Sequence, residues 1–364
     1  MFPQSNSSTN SHSFVKRKKV IVLSMPCVSV LMPIKGDCPF LPFAIESVRV
    51  QSLADWELII SQDFIDDASS RYLADVIKMD TRVKIIDSCG LTLPSALNKG
   101  LNECGGEFIA RFDADDIMFP WRLSSQILFL QENPDYVACG GQIVIIDEYQ
   151  KMAIASPYYN LKNRTLKGKI EFKCPFPHPG TTIRARALRE VKGYSAHYKF
   201  AEDYELWMRL ASLGKFANLK RPVIAYRSYT SQTSARFRTE TRLHMAYALL
   251  GNCIGGDRRI NLESREVTKE LFQSQYLLLD KSKQAVIDRY YGNESFLSEL
   301  FCGPIVDGQK ESFKNDFFAV VSSSYKSLVH FILRLLVSIN TLIVIRPLWQ
   351  RYLTKLNSAP PPRM

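Results

Sequence analysis

The chain has 364 residues, 46% hydrophobic and 23% charged, which excludes disorder as the default state and leaves length for one large domain or two modest ones with a sizeable core. Its eight cysteines form no CxxC pair and several sit in apolar runs, where a thiol behaves as a small hydrophobe; a reducing compartment follows. The formal net charge of +11 favours an anionic partner, but the basic runs Lys16 to Lys19, Arg184 to Lys192 and Arg236 to Arg242 belong to no nucleic-acid module, so nucleic acid is not an expected partner.

In chain order, residues 1–24 read as a disordered extension: the polar "MFPQSNSSTNSHSF" is low in complexity, and "KRKKVIVLSMPCVSVLM" imitates a signal peptide. No small-x-small cleavage site supports that reading, and "VSVLMP" serves better as a first strand. Met25 is an alternative start, because the folded part opens at "MPCVSVLMP". A first strand ended by Pro33 is followed by a helix bearing Phe43, Ile45 and Val48, a strand "WELIIS", a helix "YLADVIKM" and a strand "RVKIID". Continuous apolar strands alternating with helices predict a parallel sheet covered on both faces. A helix near Pro94 and a fourth strand "GGEFIARF" complete the first half, and at that strand's carboxyl end stand Asp113, Asp115 and Asp116. Ligands of open parallel sheets bind beyond the carboxyl ends of the strands, where Pro33 to Asp37 and Asp63 to Asp67 also lie.

The second half continues with a helix stopped near Pro134, a strand "YVACGGQIVIID", a loop through Pro157, the stretch "FKCPFPHPGTTIRARALREVKGY", and a helix "AEDYELWMRLASLG" with Gly214 as terminator. "YRSYTSQTS" reads as loop, and beyond about Arg236 the chain turns helical without a chemical motif. The boundaries predicted are a catalytic domain at 25–235, divided into a nucleotide-binding half (25–120) and an acceptor half (121–235), a helical region at 236–325, and an apolar, basic tail at 326–364. In that tail Ser327 to Ile345 would form a helix roughly 28 Å long. His330, Arg334, Ser338 and Thr341 make a polar stripe on it, and Arg346, Trp349, Arg351, Tyr352 and Lys355 follow. This pattern suits lying in a membrane interface better than spanning it, and a core helix is the alternative.

Three carboxylates within four residues repel one another unless solvated or bound to a cation. Hard oxygen ligands suit Mg²⁺ or Mn²⁺, with phosphates and waters completing the octahedron. The plainer alternative is a solvated acidic turn. An EF-hand lacks its Gly and distal Glu here, and a haloacid-dehalogenase-type phosphatase would place its DxD near the start of the chain, not after three strands.

From Cys27 to Ser234 the joint order of "VSVLMPIKG", "AIESVRVQSLADWELII", "ALNKGLNECGGEFIARFDADDIMFPWRLSSQILFLQENP", "HPGTTIR", "GYSAHYKFAEDYELWMRLASLGKFANL" and "YRSYTSQTS" resembles a family 2 glycosyltransferase of the GT-A fold. The resemblance implies a Rossmann-like, mainly parallel sheet flanked by helices, with a helical C-terminal extension. It implies an inverting, metal-assisted transfer of a sugar from a nucleotide-sugar donor, a UDP-sugar first, to a glycan or lipid-linked acceptor in surface polysaccharide synthesis, at the cytoplasmic face of a membrane. Carried over by position, Pro33 and Lys35 would line the nucleotide and Asp63 would contact the base. Asp113, Ala114 and Asp115 would serve the ribose and the metal-diphosphate, and Asp203 would be the general base with Glu202 beside it.

The chain departs from the family pattern at Gln62, where a second aspartate is common, at the "FIDD" that replaces a small turn, and at Tyr229, where a His is common. His178 either faces the acceptor or caps a loop. A DxD phosphohydrolase and a silent sugar-nucleotide-binding module are the alternative functions.

Overall fold

The computed structural model describes residues 26–149, 152–155, 174–229 and 238–254, together with 276, 277, 281 and 284. The first half consists of Val28–Gly36 (β1), Leu41–Arg49 (α1), Trp56–Ile65 (β2), Asp67–Met79 (α2), Val83–Asp87 (β3), Leu93–Asn102 (α3) and Phe108–Arg111 (β4). There follow Ile117–Met118 (β5), Arg122–Glu132 (α4), Tyr136–Ile146 (β6), Met152–Ala155 (β7), a 3₁₀ turn at His178–Gly180, Thr182–Arg184 (β8), Ala185–Glu190 (α5), Glu202–Leu210 (α6), Lys215–Arg227 (β9) and Arg238–Ile254 (α7).

These strands form one sheet in the order β3-β2-β1-β4-β8-β6-β9-β5, with β7 beside β6. The pairs β3–β2, β2–β1, β1–β4 and β6–β9 are parallel, whereas β8 runs antiparallel to both β4 and β6. The expected mainly parallel sheet flanked by helices is therefore present, and β8 is the seam between its two halves. Alternation along the buried strands feeds two cores. Val30, Met32, Leu58, Ile60, Phe108 and Ala110 join one, while Leu31, Ile59 and Ile109 join the other, with Trp207 and Leu210 of α6.

Local chemistry starts the helices. α1 and α3 carry proline in the first turn, and Asp66 caps α2 by accepting from the Ser69 N–H at 2.8 Å. Gly106 permits the approach of the α3–β4 turn to β1: a Cβ there would lie 2.5 Å from the Ser29 nitrogen.

Three expectations change. β1 does not end at Pro33 but runs to Gly36. Leu31 bonds toward β4, Pro33 faces the same side two residues on, and β4 has ended there, so the missing N–H is not needed. Gly214 does not terminate α6, which stops at Leu210; it is small because a Cβ would meet the Val137 side chain at 2.5 Å. "YRSYTSQTS" is not all loop, since Tyr226 and Arg227 close β9, a strand whose pattern is broken by Lys220, Arg221 and Pro222.

Among the described residues no helix is long and apolar enough to cross a membrane. The segment Ser327 to Ile345 lies outside them. Of the C-terminal helical region, α7 is described; it buries Ala246, Tyr247, Leu249 and Leu250 and packs against α6.

Candidate functional site

The carboxyl end of β4 delivers the aspartates to the rim of the sheet. One oxygen each from Asp113, Asp115 and Asp116 lies within 4.8 Å of the others, a set of hard donors able to hold a divalent cation. One oxygen of Asp116, Oδ2, is buried without a hydrogen-bond partner among the described residues, as an open ligand position would be. Burial, with Asp113 next in effect, pushes the Asp115 carboxyl up to about 6, and burial pushes Asp116 well up.

Solvent or a bound cation was the expected remedy for this crowding, yet the chain supplies cations of its own. Arg111 pairs with Asp113. Arg227, at the end of β9, donates from Nε to the Asp115 carbonyl at 2.7 Å and from its backbone N–H to Asp116 Oδ1 at 2.9 Å. Its guanidinium also reaches the Asp147 carbonyl at 2.9 Å and lies 3.9 Å over the Phe40 ring, so one residue pins the aspartate turn to two neighbouring loops. Behind the turn Arg122 is fully buried, donating to the carbonyls of Arg111 and Thr181. Gln126 beside it accepts from Arg122 and Thr182 and donates to the Cys139 and Gly180 carbonyls. That network ties β4, β6 and β8 together beneath the site.

Tyr229 engages the cluster: its hydroxyl donates to Asp115 Oδ2 at 3.0 Å. Asp63 is buried, held by Lys35 Nζ at 2.7 Å and by the N–H groups of Gly90 and Phe64 on Oδ1. Lys35 is the main cause of a depressed Asp63 carboxyl. This carboxylate fastens the ends of β1 and β2 to the loop after β3, while Lys35 remains 72% exposed at the rim. Pro33 and Ala114 are half-buried nearby in sequence to these groups, and Ala114 packs on the core.

The second acidic set comes from the start of α6. Glu202 is buried and Asp203 half-buried. Asp203 Oδ1 accepts from the Tyr204 N–H at 2.7 Å, and Oδ2 accepts from the Cys174 thiol at 3.3 Å. A place in the first turn of a helix favours the ionised form of an aspartate, but burial outweighs this at Asp203 and pushes the carboxyl up. Burial, with Asp203 as neighbour, takes Glu202 up to about 8. His178, expected to face the acceptor or cap a loop, is buried in the turn before β8: its Nε2 lies 3.0 Å from the Tyr194 hydroxyl, its Nδ1 is 3.9 Å from Glu202, and burial keeps it neutral.

Sequence reasoning missed Arg111, Cys174, Tyr194 and Arg227. A signal existed for Arg111 alone: in "FIARFD" it alternates with Phe108, Ala110 and Phe112 and so leaves the strand on the other face.

Residues 29–191 match the family model described as Glycosyl transferase family 2. An uncharacterized glycosyltransferase of Haemophilus influenzae is 30% identical over 284 residues, covering 70% of this chain and 87% of that one. The O-antigen biosynthesis glycosyltransferase WbnJ of Escherichia coli is 29% identical over 212 residues, with coverage of 57% and 81%. A mannosyltransferase from Pyrobaculum calidifontis, solved with GDP-Man and Mn²⁺, shows a looser likeness: TM-score 0.48 and 13% identity over 90% of this chain and 88% of that one. The class defined is a glycosyltransferase built on a mainly parallel GT-A sheet. The chain belongs to glycosyltransferase family 2.

Proposed function

We propose that the protein transfers a sugar from a nucleotide-sugar donor to a glycan or lipid-linked acceptor, with metal assistance and inversion at the anomeric carbon. The observation that carries this reading is the meeting of two separate carboxylate sets at one rim. Asp113 and Asp115 come from the end of β4, Glu202 and Asp203 from the start of α6, and Arg111 feels both sets. Metal and leaving group need one set, and the acceptor proton needs the other.

Asp113 and Asp115 would hold Mg²⁺ or Mn²⁺, which when bound neutralises charge growing on the departing nucleoside diphosphate. Pro33, Lys35 and Ala114 line the donor, and Asp63 fixes the loops around the base. Asp203 takes the proton of the acceptor hydroxyl onto a carboxylate oxygen. The freed oxygen forms its bond to the anomeric carbon as the carbon–oxygen bond to the diphosphate breaks, and Glu202 keeps the adjacent charge in check. An Asp203 raised by burial above the ordinary aspartate range is better matched to a base role than an exposed aspartate. Membership of the family removes the phosphohydrolase reading. The relative acting in O-antigen synthesis supports a role in surface polysaccharide assembly, which would take place at the cytoplasmic face of a membrane.

Calorimetric titration with UDP, GDP, CDP and dTDP, with and without Mn²⁺, tests the donor site. Metal-dependent binding of one nucleotide, lost in Asp115→Asn, is the expected result, and UDP is the first candidate. Absence of binding for all four nucleotides would defeat it. Asp203→Asn should keep that binding and lose transfer, whereas a silent module would show binding and no transfer in the unaltered protein.

A further inference from the structure

The basic run Arg184 to Lys192 lies away from both carboxylate sets, and the fold gathers three of its arginines at one cavity. That cavity, of about 180 Å³, is lined by Arg184, Arg186 and Arg189 together with Glu107 and Ala185. It sits at the foot of the sheet: Glu107 precedes β4, Arg184 pairs with Phe108 at the start of that strand, and the Ala185 N–H donates to the Glu107 carbonyl at 2.9 Å. The aspartates lie beyond the other end of β4, whose four residues span roughly 13 Å. Arg184 has a buried side chain, 8% exposed, and is held in place: Nε donates to the Tyr136 carbonyl at 2.8 Å, and Nη2 donates to the Leu130 carbonyl in the last turn of α4. Its Nη1 makes no hydrogen bond among the described residues and stands 3.7 Å from Glu107 Oε1, too far for one. Arg186 and Arg189 are exposed, three residues apart on α5. Arg189 spends one nitrogen on the Cys104 carbonyl at 2.7 Å, and Arg186 has no hydrogen-bond or ion-pair partner among the described residues.

We propose that this cavity is a binding site for a phosphate monoester, separate from the donor site. Three guanidiniums meet one carboxylate there, which leaves a surplus of positive charge. A phosphate monoester brings a charge of about −1.5 to −2 and three acceptor oxygens, which answers that surplus and offers an oxygen to each arginine. A carboxylate, with a single charge and a pair of oxygens, would leave one guanidinium unanswered. Arginine is also the side chain whose planar fork fits such oxygens in pairs. The volume limits the rest of the ligand. A cavity of about 180 Å³ is smaller than the roughly 300–1,000 Å³ that encloses a drug-sized molecule, so it takes the phosphoryl group and leaves what that group is attached to outside. A second nucleotide-sugar does not fit. Glu107 competes with the anion from the mouth of the cavity, its side chain 66% exposed. The monoester is free in solution or at the head of a lipid, and both present the same terminal oxygens. The site depends on no assignment at the aspartates or in α6, so it stands whether or not the protein transfers a sugar as proposed above.

Inorganic phosphate is titrated by calorimetry into the full chain without divalent cation, so that the aspartate cluster repels the anion and cannot gather it through a metal. Arg186→Gln removes a guanidinium that the fold does not use, and Glu107→Gln removes the competing carboxylate. Arg186→Gln is expected to weaken phosphate binding by about tenfold, and Glu107→Gln to tighten it by about threefold. Shifts of opposite sign are the signature of charge at this cavity, since damage to the fold would weaken both. Absence of phosphate binding in the unaltered protein, or an unchanged affinity in Arg186→Gln, overturns the proposal. Sedimentation with phosphatidylcholine vesicles, with and without phosphatidic acid, identifies the source of the monoester. Added binding to phosphatidic acid that Arg186→Gln loses assigns the site to a lipid headgroup. Vesicle binding equal in the two proteins, with the phosphate titration still shifted, assigns it to a soluble monoester.

Discussion

At the scale of single residues, the aspartate cluster is held by side chains that lie outside it. Tyr229 cannot ligate a cation as an imidazole does, but its hydroxyl fixes one oxygen of Asp115 at 3.0 Å. Outer partners of this kind orient ligands. Tyr229→Phe should therefore weaken Mn²⁺ binding by about tenfold with little change in thermal stability; calorimetric titration beside a melting curve checks both. Cys174 is the corresponding partner on the acceptor side. A thiol is a weak donor, so it steadies Asp203 Oδ2 while leaving it basic. Cys174→Ser, a stronger donor, should move the acid limb of transfer to lower pH, and an unmoved profile would show that the contact is incidental.

At the scale of elements, close approach explains what side-chain pattern does not. The turn into β4 crosses β1 so tightly that Gly106 admits no Cβ: the Ser29 nitrogen and hydroxyl would stand 2.5 and 2.8 Å away. Gly106→Ala should cost about 1–3 kcal/mol in chemical denaturation, and a neutral result would mean that the turn relaxes freely. α6 illustrates the other side of the balance. Its Trp207 is fully buried against Phe176, with ring centroids 4.6 Å apart and edge-to-face geometry, so the helix that presents Glu202 and Asp203 is fixed from below. Trp207→Ala should remove about 3–5 kcal/mol and, by loosening α6, lower transfer more than donor binding.

For the whole molecule, the buried acids set the response to pH. Glu202 ionises near 8 in the folded protein, above the ordinary range for a glutamate. Between those two values the folded state binds more protons than the unfolded one, so the contribution of Glu202 to stability is present at low pH and is lost as pH rises toward 8. Melting of the metal-free protein should accordingly rise as pH falls from about 8 to about 6, and Glu202→Gln should flatten that slope. A slope unchanged in the variant would assign it to other groups. Divalent cation should raise the melting temperature most at the alkaline end, where the carboxylates of the cluster are ionised.

The sequence by itself determined the strand–helix alternation of the first half, the place of the aspartates after β4, the acidic start of α6 and the family. Each of these is carried by short-range pattern: two-sided burial makes a parallel strand continuously apolar, and a helix start is marked by its first turn. It did not reveal β9, whose "LKRP" breaks the apolar run because Lys220 and Arg221 are turned outward where the strand bends along β6. Nor did it reveal which cations answer the aspartates: Arg111, Arg122 and Arg227 lie in three different elements, and apart from Arg111, whose place in its strand is a signal, they look like any other basic residue in the sequence. Only the tertiary structure decided that Asp203 is more desolvated than a helix start implies, and that Tyr229 reaches Asp115. Both follow from chain segments far apart in sequence closing on one rim, where burial and neighbouring charge, set by packing, govern the ionisation of each carboxylate.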